Sequence, residues 1–92
     1  MHLFYWQRLK EDENLIIESI KKSKIAYQLN PLEKSYNLAC SYALAKNKKE
    51  ALNYLEESLK NKATEIDYII KDEDWKDYLL DKDFIDLIEK YK

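Results

Sequence analysis

Residues 36–59 read YNLACSYALAKNKKEALNYLEESL, and this stretch decides the fold of the chain. Apolar residues recur in it at intervals of three and four, which is the spacing of one helix face. Asn47 and Glu50 fit a capping box, the sequence signal that begins a helix. The stretch therefore predicts two helices joined by a short turn, one from about Leu32 to Lys46 and the other from about Asn47 to Asn61.

Helical patterns continue on both sides of this hairpin. Residues 3–10 are expected to form a short helix or the first turns of a longer one, and Asp12 or Asn14 could cap a helix that runs to about Leu29. Pro31 ends that helix, because proline disfavours helical angles in the residue before it. After residue 63, short apolar groups alternate with acidic residues. This pattern predicts two short helices and a last helix over residues 82–91, with caps at Asp72, Asp74 and Asp81.

The composition favours an all-α protein. The chain has no Gly and one Pro, whereas tight β-hairpins and phosphate-binding loops usually require Gly. Charged residues make up 37% of the sequence and alternate with apolar ones, which is typical of a folded, soluble domain. No segment approaches the ~20 apolar residues that span a membrane. The single Cys40 cannot form an internal disulfide, so a reducing cytoplasm is the expected location.

The hairpin resembles a tetratricopeptide (TPR) unit, a helix pair of ~34 residues with small residues at the crossing. The matching positions are Leu38, Ala39 and Tyr42 in the first helix and Ala51, Leu55 and Ser58 in the second. Ser35 stands where the unit usually has an aromatic residue, so the repeat is degenerate. Residues 26–31 resemble the end of a preceding unit, and residues 72–88 resemble the segment that closes some bacterial TPR arrays.

The resemblance implies a single all-helical domain over residues 1–92, a short degenerate TPR-like solenoid. Residues 1–31 would form an N-terminal half-repeat, residues 32–62 the TPR-like hairpin, and residues 63–92 an acidic helical cap. Residues 64–92 contain 10 Asp/Glu and 5 Lys, a balance of −5, whereas residues 1–63 have a balance of +3. The apolar end at residues 3–6 makes a homodimer possible.

The inventory of reactive residues argues against catalysis. His2 is the only His and stands near the chain terminus, and Cys40 on a helix of this kind is more often a packing residue. Calcium loops need a Gly that the chain lacks, and zinc sites need more Cys or His, so no metal or cofactor is expected. One Arg and an acidic C-terminal segment disfavour nucleic-acid binding.

These observations favour a non-catalytic protein–protein interaction module, such as an adaptor or a regulatory subunit. The resemblance places Tyr36, Asn37 and Cys40 on the concave face of the hairpin, where they would contact a protein or peptide partner. The alternative is a bacterial immunity or antitoxin-like inhibitor that masks a basic toxin with the acidic C-terminal face. In that case the contacts would come from Asp72, Asp74 and Asp77. A compact cap could also fold into this groove and cover it, in which case Tyr36 would pack against the C-terminal cap instead of a partner.

Overall fold

The computed structural model describes the backbone of residues 2–92 and the side chains of residues 15–92. The expectations for the side chains of His2 and of residues 3–6 lie outside this described part. Residues 2–92 form helices and turns without a strand, which confirms the all-α prediction. In chain order the elements are α1 (His2–Leu29), α2 (Pro31–Leu44), α3 (Lys48–Lys60), α4 (Ile66–Lys71), a 3₁₀ helix (Glu73–Tyr78) and α5 (Lys82–Lys90).

Helix α1 is continuous, so residues 3–10 are the first turns of a longer helix rather than a separate short one. The prediction that Asp12 or Asn14 begins a new helix is wrong. Residues 9–13 read LKEDE, and this run contains no Pro or Gly that would interrupt the helix. The break comes at Asn30, whose side chain accepts a hydrogen bond from the backbone N–H of Glu33 at 3.4 Å and so caps α2.

The ends of α2 and α3 each place a lysine in left-handed backbone geometry, with φ of 61° at Lys46 and 58° at Lys62. After α2, the N–H of Asn47 bonds to the carbonyl of Tyr42 at 3.0 Å, and the N–H of Lys46 bonds to that of Ala43 at 3.1 Å. The same pair of bonds ends α3. This is the Schellman motif, in which Gly is the usual left-handed residue. Lysine takes that position in a chain that has no Gly.

Small side chains allow α2 and α3 to pack closely, as the sequence predicted. Asn47 begins α3 by accepting the N–H of Glu50 at 3.4 Å, which confirms one half of the predicted capping box. The other half is not formed, because the N–H of Asn47 bonds to the carbonyl of Tyr42. The residues of the crossing are almost fully buried: Ser35, Leu38 and Ala39 from α2, and Ala51, Leu55 and Ser58 from α3.

Helix α1 packs on α2 and α3 through hydroxyl and aromatic contacts. The hydroxyls of Ser23 and Ser41 lie 2.9 Å apart. The ring of Tyr27 meets that of Tyr54 edge-on at 5.1 Å, and Tyr54 stacks with Tyr42 at 5.8 Å. These contacts make α1, α2 and α3 one packed unit.

The C-terminal elements pack against this unit around Trp75, which is fully buried. Its indole stacks with the ring of Phe84 at 5.7 Å, and the hydroxyl of Tyr78 donates a hydrogen bond to the carbonyl of Ala43 at 3.4 Å. Lys48 at the start of α3 forms ion pairs with Asp81 and Asp83, at 3.0 and 2.7 Å. The C-terminal segment is therefore attached to both helices of the hairpin.

Two of the three predicted aspartate caps are confirmed in this segment. Asp72 accepts the backbone N–H of Asp74 at 3.0 Å at the start of the 3₁₀ helix, and Asp81 accepts that of Phe84 at 3.1 Å at the start of α5. The prediction that Asp74 is a cap is wrong, because its own N–H is the group being capped.

We predict that Lys46→Gly or Lys62→Gly raises the free energy of unfolding by about 0.5–1 kcal/mol. Glycine removes the steric cost of the left-handed conformation, which for other residues is roughly 1–2 kcal/mol, and part of that gain is offset by unfolded-chain entropy. Urea denaturation would measure the change. The control is Lys22→Gly on the exposed side of α1, which should instead lose up to ~1 kcal/mol. Equal losses in all three variants would contradict the prediction.

Candidate functional site

The residues of α2 that were expected to face a concave groove lie under the C-terminal segment. Tyr36 and Cys40 are each only 8% exposed. The hydroxyl of Tyr36 donates a hydrogen bond to Asp72 Oδ2 at 2.6 Å, and Cys40 Sγ lies 4.0 Å from the same oxygen. The cap thus covers this part of the groove in the structure, and Tyr36 and Cys40 face the cap rather than solvent.

Asp72 joins the hairpin to the cap through both of its carboxylate oxygens. Oδ2 accepts the hydroxyl of Tyr36, while Oδ1 accepts the backbone N–H of Asp74. Burial raises the pKa of Tyr36 above that of an ordinary tyrosine, and the hydrogen bond to Asp72 raises this pKa further. The phenol therefore remains a hydrogen-bond donor at every physiological pH.

Cys40 is a poor nucleophile in this position. Burial raises the pKa of its thiol to about 12, against weaker opposing effects from the O–H of Tyr36 and the N–H of Trp75. Among residues 15–92, none offers the buried Trp75 Nε1 an acceptor in hydrogen-bonding geometry. The reactive form of cysteine is the thiolate, and this environment disfavours it.

Three side chains of kinds that can bind metal ions lie close together beside the Tyr36–Asp72 hydrogen bond. Cys40, Asp72 and Asp74 each offer a ligand atom, and these atoms lie within 4.8 Å of one another. Both oxygens of Asp72 already accept hydrogen bonds that hold the cap in place. The fold accounts for the position of Asp72 without a metal, and the absence of a metal site remains a prediction.

The structure separates the six predicted partner-binding residues into two groups. Tyr36, Cys40, Asp72 and Asp74 form the covered cluster described above. Asn37 and Asp77 lie outside it, and both are exposed.

A cleft beside Asn37 contains a residue that the sequence did not single out. Tyr68 on α4 is 62% exposed, and its ring meets that of Tyr36 edge-on at 5.7 Å. The cleft has a volume of about 380 Å³ and is lined by Glu33, Tyr36, Asn37, Ala63, Thr64, Glu65 and Tyr68. The run Tyr68-Ile69-Ile70 gave one sequence signal of an exposed apolar side chain. Three consecutive residues of a helix point in different directions, so they cannot all face the core. Ile69 is the residue that is buried.

Comparison with known proteins gave no match to the chain among family models, curated proteins or solved structures. Within the described part of the chain, none of the helices combines the length and the apolarity that crossing a membrane requires.

We predict that Tyr36→Phe lowers the free energy of unfolding by about 1–3 kcal/mol, because a partly buried carboxylate loses its donor. Urea denaturation would measure the loss. Tyr68→Phe is the matched control, since the Tyr68 hydroxyl makes no hydrogen bond to any described side chain, and it should change stability by less than about 0.5 kcal/mol. Similar effects of the two substitutions would show that the Tyr36–Asp72 bond does not hold the cap.

A second prediction concerns pH. Burial raises the pKa of Asp74, and the neighbouring charge of Asp72 raises this pKa further. A carboxyl whose pKa is raised in the folded state stabilises the fold below its unfolded pKa of ~3.9, and this contribution is lost as the pH rises through the folded pKa. Asp74→Asn remains neutral, so it should be more stable than the wild type at pH 7.

The difference between Asp74→Asn and the wild type should shrink towards zero below about pH 3, where the wild-type carboxyl is mostly protonated in both states. Thermal denaturation across this pH range would measure it. Asp77→Asn, at an exposed position of the same 3₁₀ helix, is the control and should give curves parallel to the wild type. A lower stability of Asp74→Asn at pH 7 would contradict the assignment.

Proposed function

We propose that this chain is a non-catalytic protein-interaction module, built as a short, degenerate TPR-like hairpin with an acidic helical cap. The small buried residues Ala39, Ala51 and Ser58 at the crossing of α2 and α3 support the TPR-like part of the proposal. The packing of α1 against α2 supports it too, since a helix of a preceding repeat would occupy that position. Interaction through a surface is the usual role of such helical repeats.

The surface of the cap, residues 63–92, carries the proposal. It exposes carboxylates that form no ion pair with any described side chain, among them Glu65, Asp67, Glu73 and Asp77. It also exposes large apolar side chains, of which Leu80 is 94% accessible and Tyr68 62%. Apolar contact area together with unpaired charge of one sign suits a protein partner of opposite charge.

The covering of Tyr36 and Cys40 by the cap affects the choice between the two functions considered from sequence, the adaptor and the inhibitor. An adaptor that holds a peptide against Tyr36 and Cys40 would have to displace the cap and break the Tyr36–Asp72 bond. An inhibitor that masks a basic toxin needs only the exposed carboxylates. The geometry therefore favours the exposed acidic face as the binding surface, and immunity or antitoxin-like inhibition becomes the preferred form of the interaction.

The proposal includes the absence of catalysis. The pKa of the Cys40 thiol is raised to about 12, so the thiol is protonated at neutral pH and does not suit nucleophilic chemistry. A single buried cysteine is also compatible with the proposed location in a bacterial cytoplasm.

We predict that reversing two exposed charges, Glu73→Lys and Asp77→Lys together, slows association with the partner about tenfold or more at low salt. Electrostatic steering raises association rates by 10–10³-fold and is screened by salt. The partner would be captured from the native host on the immobilised chain and purified, and association rates would then be measured at several salt concentrations.

The control adds positive charge on the exposed side of the N-terminal helix, as Glu18→Lys (+2) with Gln28→Lys (+1), against a change of +4 in the cap variant. These substitutions should leave the association rate within about twofold, because they lie outside the cap. An unchanged rate for the double variant of the cap would refute the acidic face as the binding surface. Loss of an enzymatic activity of the partner on binding would identify inhibition, and a partner that remains fully active would identify an adaptor.

A further inference from the structure

We infer that the cleft between α2 and α4, here called the Tyr68 cleft, binds an arginine side chain of the partner protein. This inference rests on the proposed function, because it names the chemistry by which a basic partner would be held. The cleft is lined by residues 33, 36, 37, 63–65 and 68, and its volume of about 380 Å³ is near the lower end of the range for ligand pockets.

The charge of the Tyr68 cleft distinguishes it from other concave regions of the surface. Glu33 and Glu65 contribute two carboxylates, Asn37 contributes a carboxamide, and none of the residues that line the cleft is a lysine or an arginine. Three other clefts contain both signs of charge, with lysines at Lys49 and Lys90, at Lys71, and at Lys62 and Lys92. The Tyr68 cleft thus has negative charge that its own lining does not neutralise.

An aromatic ring is held in place beside these carboxylates. Tyr68 contacts Tyr36 edge-on, and Tyr36 is in turn fixed by its hydrogen bond to Asp72. The exposed ring of Tyr68 is therefore oriented before any ligand arrives, which lowers the entropic cost of binding. A cation over such a ring is attracted by its π-electrons.

Arginine fits this combination better than other side chains. Its planar guanidinium can stack on tyrosine and donate hydrogen bonds to two carboxylates, whereas the ammonium of lysine is compact and more strongly hydrated. An apolar side chain would desolvate Glu33 and Glu65 without replacing their hydrogen bonds to water. An anionic group would be repelled by the same two carboxylates.

The test uses the full chain labelled with ¹⁵N and three small probes at constant ionic strength. These are the N-acetyl amides of arginine, of citrulline, which is its uncharged isostere, and of lysine. The arginine probe should cause saturable chemical-shift changes at Asn37, Glu65 and Tyr68. The citrulline probe should cause none, and the lysine probe should bind at least about threefold more weakly. Absence of saturation, or equal responses to arginine and citrulline, would overturn the inference.

Variants locate the bound arginine probe. Glu65→Gln and Tyr68→Leu should each weaken its binding at least about threefold, because one removes a carboxylate and the other the aromatic ring. Glu73→Gln is the matched control, an exposed carboxylate outside the cleft, and it should leave binding unchanged. Equal weakening by Glu65→Gln and Glu73→Gln would show attraction to the general acidic surface and would overturn the cleft.

The outcome is separable from that of the proposed function. If Glu65→Gln leaves partner association unchanged while Glu73→Lys with Asp77→Lys slows it, the inference about the cleft fails and the acidic interaction surface stands. If the arginine probe binds in the cleft but reversal of the cap charges has no effect on partner association, the proposed acidic face fails. The cleft then stands as the site of contact.

Discussion

The hydrogen bond from Tyr36 to Asp72 is the constraint on which the covering of α2 by the cap depends, and it acts beside the burial of Trp75 and the ion pairs of Lys48. One carboxylate accepts the hydroxyl of Tyr36 on α2 and the N–H of Asp74 in the 3₁₀ helix, so it links the position of the cap to the hairpin. It also orients Tyr36, against which Tyr68 rests. A chain of 92 residues has a small core, so a polar contact between the hairpin and the cap contributes a large share of what holds the two together.

The acidic residues of the C-terminal segment serve two purposes, because some of them hold the fold together and others remain exposed. Asp72 and Asp81 accept backbone N–H groups within the fold, and Asp83 forms an ion pair with Lys48. Asp77 is exposed and makes no ion pair with the described side chains. The carboxylates of residues 64–92 are therefore not equivalent: those that cap helices keep their charge but already have hydrogen-bond partners in the fold, whereas Asp77 is exposed.

Local signals in the sequence were sufficient for the helices and most of their caps. The hairpin, the cap at Asn47 and the caps at Asp72 and Asp81 follow from spacing and from the hydrogen-bonding capacity of short polar side chains. The continuity of α1 was left open, because Asp12 can cap a helix or lie within one. The Tyr68 cleft was missed, since it arises from two segments distant in sequence, residues 33–37 and 63–68, and no local pattern encodes which face of α4 remains exposed.

The covering of one face of α2 by the cap is another feature that local sequence signals left open. Tyr36 and Cys40 occupy one face of α2, and the sequence left open whether a partner or the C-terminal cap lies on it. Trp75 explains why the cap covers this face of α2. So large an apolar side chain on a short 3₁₀ helix has to be buried, and the face of α2 lies close enough to receive it. With Trp75 buried there, a partner of the kind proposed would bind the outer surface of the cap or the edges of this face. The two exposed members of the predicted set, Asn37 and Asp77, lie on those surfaces.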